Sequence, residues 1–177
     1  MALPSTIYKA TIQLADIDRG RYETLQATVA QHPSETEERL VARLLAYAIF
    51  YEDDLSFTKG LSATDEPELW VKGGDGRVQL WVEVGLPDAE RIVKASRHAE
   101  RVALLACGRA LFSWQQQHLP KLTTIPNLTV ITIDQPFLAN LVQRLERSVS
   151  WSITITEGVC YLTIGEETLE TTLLTPA

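Results

Sequence analysis

The carboxylates Asp65, Glu66 and Glu68 lie close together in this chain, with Glu83 and then Lys94 after them. Hard divalent cations such as Mg2+ take carboxylate oxygens and fill the remaining positions with water and substrate phosphate. A metal held at such a cluster activates water and neutralises a phosphodiester in its transition state. A nearby ammonium group orients that water or stabilises the developing charge. The chemistry these residue types suit is therefore phosphodiester hydrolysis, with Mg2+ as the expected metal and Mn2+ as its substitute. The same residues also suit the solvated edge of a hairpin with no chemistry attached, so their placement decides between the two.

The elements that must position them can be read from the surrounding pattern. Glu68–Lys72 and Arg77–Gly85 are rich in Val, Leu and Trp and alternate in polarity. Between them, Gly74-Asp75 suits a two-residue hairpin loop. That loop predicts Val71 opposite Val78, Leu69 opposite Leu80 and Pro67 opposite Val82, all on one apolar face. The other face then carries Trp70 opposite Gln79, Glu68 opposite Trp81 and Glu66 opposite Glu83. Like charges directly opposite are destabilising, so a Glu66–Glu83 pair calls for a cation, either a metal or a basic side chain. Pro87-Asp88 opens a helix predicted over Ala89–His98. On it, Lys94 falls nearly opposite Ala89, Ile92, Val93 and Ser96, with Arg91 and His98 beside it. Arg91, Lys94 and Arg101 form a basic stripe suited to phosphate contacts, or simply a solvated face. Trp70 and Trp81 share the predicted face of the glutamates, where they suit either base stacking or packing. Ser34-Glu35-Thr36-Glu37 reads as a capping box opening a helix to about Tyr51. Glu35 and Glu38 in its first turns suit the helix dipole or a third carboxylate for the metal.

Composition sets bounds on these readings. A length of 177 residues suits a single domain, and 45% hydrophobic residues allow a full core. A net charge of −7 argues against a strongly basic nucleic-acid surface, leaving at most a local basic strip. Cys107 and Cys160 read as core thiols in a reducing compartment. The start carries no signal-peptide pattern and no apolar run approaches a membrane helix, which predicts a cytoplasmic protein. The histidines lack metal-ligand spacing, and no Walker loop, dinucleotide glycine motif or nucleophile elbow occurs. Elsewhere the pattern predicts strands at Thr6–Ala15, Tyr22–Gln31, Leu55–Lys59, Val102–Cys107 and Leu128–Ile133, with helices at Leu111–His118 and Phe137–Glu146. A terminal meander is predicted over Ser150–Thr156, Val159–Ile164 and Thr168–Leu173. The fold class is mixed α/β, with extra β-structure from both termini.

Four segments carry a resemblance: TIYKATIQLADIDRGRYETL, HPSETEERLVARLLAYAIF, LSFTKGLSATDEPELW and VQLWVEVGLPDAERIVKA. They resemble the bacterial YaeQ proteins over nearly the whole chain, a divergent branch of the PD-(D/E)XK nuclease-like fold. The resemblance implies a core of helix, three antiparallel strands, helix and strand. These would be Ser34–Tyr51, the strands within Leu55–Gly85, Ala89–His98 and Val102–Cys107. It implies an acid on the second strand and an acid-x-Lys pattern on the third. Here Glu83-Val84-Gly85 has glycine in the lysine position, and Lys94 on the following helix is the candidate replacement. The second-strand acid would be Asp65, Glu66 or Glu68, with the predicted register favouring Glu66. A first-helix acid would be Glu35 or Glu38. The implied function is a Mg2+-dependent nuclease acting on nucleic acid. The alternative is a non-catalytic nucleic-acid- or protein-binding module on the same scaffold.

Overall fold

The computed structural model describes residues 3–58 and 65–176. Two five-stranded sheets enclose a pair of helices, and a second pair covers the far side of one sheet. The first sheet joins both ends of the chain. Strands β1 (Thr6–Asp16) and β2 (Arg21–Gln31) form an antiparallel pair, and β1 runs parallel to β8 (Ser148–Thr156). The meander continues through β9 (Val159–Ile164) and β10 (Glu167–Thr172). The termini thus build one sheet together, ordered β10-β9-β8-β1-β2. The second sheet is ordered β3-β4-β5-β6-β7: Ser56–Phe57, Leu69–Lys72, Val78–Val84, Ala99–Ala106 and Leu128–Thr132. Its first three strands are antiparallel and its last two run parallel to β5. The strand expected over Leu55–Lys59 is only Ser56–Phe57 among the described residues; Lys59 lies outside them.

Between the sheets lie α1 (Glu37–Ile49) and α4 (Gln135–Gln143). Helix α1 is apolar on nearly every side, from Leu40 to Ile49, because it has a sheet on each flank. Ile12 and Ile153 of the first sheet and Leu69, Val82 and Leu105 of the second belong to one continuous apolar cluster with Leu44 and Leu45. Helices α2 (Ala89–His98) and α3 (Leu111–His118) pack outside, where Ile92 and Trp114 meet Leu104 and Ala106. Adjacent residues of β6 therefore feed two different cores, which explains its unbroken apolar run. Cys107 and Cys160 are free and buried. No helix among the described residues is long and apolar enough to cross a membrane.

Two local expectations are corrected. Helix α1 is capped by Thr36, whose hydroxyl accepts the Arg39 N–H at 3.2 Å, and not by Ser34. Ser34 instead bonds to His32, and the Glu35 carbonyl accepts from Gln31 Nε2. The shift leaves Glu35 outside the helix, with its side chain turned into the core. At the other end, Arg19 donates to the Tyr51 and Ala48 carbonyls at 2.7 and 3.4 Å, which supplies the positive charge missing from α1's own last turn.

The second correction concerns the hairpin register. The loop has three residues, Gly74-Asp75-Gly76: Gly76 N–H donates to the Gly73 carbonyl, Gly73 N–H donates to Arg77, and Gly76 takes φ +85°. A bulge between Val71 and Lys72 then adds another residue on β5. Together they slide the pairing by two positions, so Leu69 faces Val82 and Trp70 faces Trp81. A slip of two preserves the faces. Leu69, Val71, Leu80, Val82 and Val84 are buried as expected, but the shifted register no longer sets Glu66 opposite Glu83; Glu68, just before β4, donates its N–H to the Val82 carbonyl at 3.0 Å.

Candidate functional site

The polar cluster forms where β5 ends and α2 begins. Glu83 is on the face of β5 away from α1, the same face as Trp81, and is buried at 3% exposure. Its Oε1 accepts the Trp81 indole N–H at 2.8 Å and the Arg91 Nε–H at 2.9 Å. Arg91 also donates through Nη2 to the Glu66 carbonyl at 2.9 Å. One guanidinium thus ties the end of β5 to the segment leading into β4. Burial pushes the Glu83 carboxyl above its ordinary value, opposed by the Arg91 charge and the indole hydrogen bond.

Glu68 is buried at 5% exposure and forms an ion pair with Arg39 from the first turn of α1. Its Oε2 and the Arg39 Nε are both buried without a hydrogen-bond partner among the described residues. Arg39 reaches the cluster over Gly85. The backbone there has φ +97°, and Arg39 Nη1 stands 3.7 Å from where a β-carbon at this position would be. Burial lowers the Arg39 pKa, partly offset by the nearby charges of Glu35 and Glu83.

The sequence-predicted residues divide into three groups. Asp65, Arg91 and Lys94 come together with Trp81, Ala95 and His98 around a cavity of about 360 Å3. Glu83 adjoins this group through Trp81 and Arg91, and Glu66 through its carbonyl. Glu35 does not join it: its carboxylate forms a bidentate, buried pair with Arg43 at 2.7 and 2.8 Å. Glu38 accepts from Gln135 Nε2 at 2.9 Å, beside α4. Arg101 is also elsewhere. Because β6 starts at Ala99, Arg101 is a strand residue, paired with Glu52 at 2.7 and 2.9 Å in a groove with Arg19 and Leu80.

Sequence reasoning missed Arg39. A signal was present: a cation in a helix's first turn opposes the helix dipole and asks for a carboxylate partner. It also missed Trp81 as the partner of Glu83, since that bond joins alternate residues on one strand face.

The donor set does not fit Mg2+ as arranged. A hard cation needs several carboxylate or carbonyl oxygens facing one point. Here Glu83 and Glu68 each turn toward an arginine, and Glu35 toward a third. Among the described residues, no three of His, Cys, Asp and Glu gather to hold an ion.

Comparison with known proteins fixes the family. The family model described as YaeQ protein matches residues 1–173. The "Uncharacterized protein YaeQ" of Salmonella typhi is 44% identical over 171 residues, 96% of this chain and 94% of that protein. The chain belongs to the YaeQ family. The Escherichia coli (strain K12) YaeQ protein is 42% identical over 174 residues, covering 98% of this chain and 96% of its own. Two crystal structures of YaeQ proteins share the architecture. That from Pseudomonas syringae has a TM-score of 0.92 at 42% identity, covering 99% of this chain and 98% of its own. That from Xanthomonas axonopodis pv. citri has 0.92 at 34% identity, covering 97% of each.

Proposed function

We propose that this YaeQ-family protein is a nucleic-acid-binding module on a PD-(D/E)XK-like core that does not cut its ligand. One observation carries the reading: the buried carboxylates are neutralised by arginines, while the adjoining cavity is lined by Lys94, His98, Arg91 and Trp81, with Asp65 as its one carboxylate among the described residues. A metal-dependent hydrolase needs the acids facing a shared point. A phosphate-binding surface needs only cations and a stacking ring next to it. The order α1, β3-β4-β5, α2, β6 supports the core assignment, with Glu68 immediately before β4 and Glu83 on β5. The test is a titration of the purified chain with Mg2+ and Mn2+, alongside oligonucleotide binding in EDTA. The expected result is no metal-dependent shift in melting temperature, binding that survives EDTA, and no cleavage products. Metal-dependent stabilisation accompanied by cleavage would overturn it.

The second reading, a Mg2+- or Mn2+-dependent nuclease, has one observation in its favour. Glu68 Oε2 is buried with no partner among the described residues, so acceptor capacity is left there. This reading requires Arg39 and Arg91 to leave their carboxylates. Cleavage by the wild type that is lost in Glu83→Gln, and reduced in Lys94→Ala with metal binding intact, would establish it.

A further inference from the structure

We propose that the ligand of this site is single-stranded, its unpaired bases stacking on Trp70 and Trp81; the inference rests on the nucleic-acid-binding reading above. The bulge and the three-residue loop set these two indoles directly opposite each other across β4 and β5. Both are half-buried on the face that carries Glu83. The indole N–H of Trp81 is anchored to Glu83, which fixes the ring, and the same side chain lines the cavity with Lys94 and His98. Lys72 Nζ sits over the Trp70 ring, 4.0 Å from its centroid, so it covers one ring face and must swing off it, toward a phosphate, for a base to stack there. Aromatic rings interleaved with a few cations are what a strand of unpaired nucleotides requires: phosphates follow the charges and base faces meet the rings.

A duplex suits the surface less well. Its base faces are already stacked on each other, leaving only edges and phosphates for a protein to grip. Duplex affinity without base readout grows with the number of neutralised phosphates. Among the described residues the local cations are few, and the whole chain carries −7. Affinity must therefore come from stacking, and it should depend weakly on salt. With two phosphate contacts, at Lys72 and Lys94, the slope of log K against log salt for a single strand is roughly −1.4.

The structure also supplies a spectroscopic readout. Of the four tryptophans, Trp114 and Trp151 are buried at 5% and 4% exposure, so a ligand-induced change in indole emission reports on Trp70 and Trp81. The experiment measures emission and labelled-probe anisotropy for the full chain with DNA and RNA single strands of about 12 nucleotides, within the site sizes of stacking grooves, and with a duplex of equal length. The expected result is emission quenching by the single strands, with the duplex bound at least about tenfold more weakly. The DNA and RNA arms decide which strand is preferred. Trp81→Ala and Trp70→Ala should each weaken single-strand binding by about 5- to 150-fold, the loss of one stacked base. Trp81→Phe, which keeps a ring but drops the indole donor, should retain most of it. If Trp81→Ala melts early, Trp70→Ala and Trp81→Phe carry the comparison. Duplex binding as tight as single-strand binding, or a well-folded Trp70→Ala that binds unchanged, overturns the single-strand inference while nucleic-acid binding stands. Failure of every oligonucleotide to bind overturns both.

Discussion

Glu35→Gln separates the structural role of a carboxylate from the metal-binding role its position in the sequence suggests. Glu35 and Arg43 are 7% and 5% exposed, and two hydrogen bonds of 2.7 and 2.8 Å join them. Arg43 also donates to the Ala30 carbonyl at 3.1 Å, so the pair ties the start of α1 to the end of β2. The variant places an amide N–H against a guanidinium and leaves that guanidinium charged and buried. Removing one partner of a buried pair costs about 3–5 kcal/mol. For a chain of this size that corresponds to a melting-temperature drop of roughly 6–20 °C. The double variant Glu35→Leu, Arg43→Met should recover most of the loss, because apolar replacement of a whole buried pair is often close to neutral. It would fall short by about 1 kcal/mol for the hydrogen bond lost at Ala30. Urea denaturation of wild type, Glu35→Leu, Arg43→Met and the double gives the cycle, with Glu35→Gln measured beside them, all with and without Mg2+. A Glu35→Gln loss below about 0.5 kcal/mol, the range of surface substitutions, would refute the structural role. So would a variant that matches wild type without metal but loses a Mg2+-dependent gain.

Other expectations follow from the same geometry. Leu80→Ala, at a position 4% exposed in the central apolar cluster, should cost about 2–5 kcal/mol in a urea unfolding curve; a surface-like loss would mean that face of β5 does not pack on α1. Burial raises the Glu83 carboxyl, so the folded state holds that proton more tightly than the unfolded state does. Its contribution is present at acid pH, below the unfolded value, and is lost as pH rises through the folded value. Glu83→Gln should therefore lose less stability than wild type from about pH 4 to neutrality; parallel profiles of urea midpoint would contradict this. Burial pushes the Cys107 and Cys160 thiols to about 11 and about 12, so neither should react with an alkylating reagent at mildly alkaline pH until the chain unfolds; rapid labelling of the native protein, read by mass spectrometry, would contradict it.

Much of the fold was legible because periodicity survives small displacements. Helix α2 and α3 lie where the pattern set them, and the apolar faces of β4 and β5 are correct despite the wrong register, since a slip of two leaves alternation unchanged. The expected Glu66–Glu83 pairing failed where the faces held, because a directly opposite residue depends on the absolute register, which a loop residue and a bulge reset without leaving a mark in the polarity pattern. Glu35 was misjudged for a different reason. A carboxylate near a helix start has a local explanation in the dipole, whereas its actual partner, Arg43, lies eight residues on, a distance in the sequence with no signature of its own. Arg101 shows the remaining limit: moving the start of β6 back to Ala99 turns a loop cation into a strand residue with an assigned face.

Gly85 follows directly on the end of β5 at Val84. In the pattern that the family resemblance implies, this position carries the site's cation on the same strand as its acid. Here the backbone takes φ +97°, a conformation that L side chains rarely adopt, and the space beside it is held by Arg39 from α1. A cation is therefore still next to Glu68 and Glu83, but it arrives from another element and already bonds one of the acids. Arg91 does the same for Glu83 from α2. Each buried acid is thus balanced by its own arginine, so the two ion pairs present little net charge to a ligand. Lys94 lies outside that balance, exposed on α2 beside Trp81. On the binding reading proposed above, the group that meets a phosphate is Lys94, which lines the cavity with Trp81 and Asp65. The same reading leaves the carboxylates to their arginines, which is why it proposes recognition without cleavage.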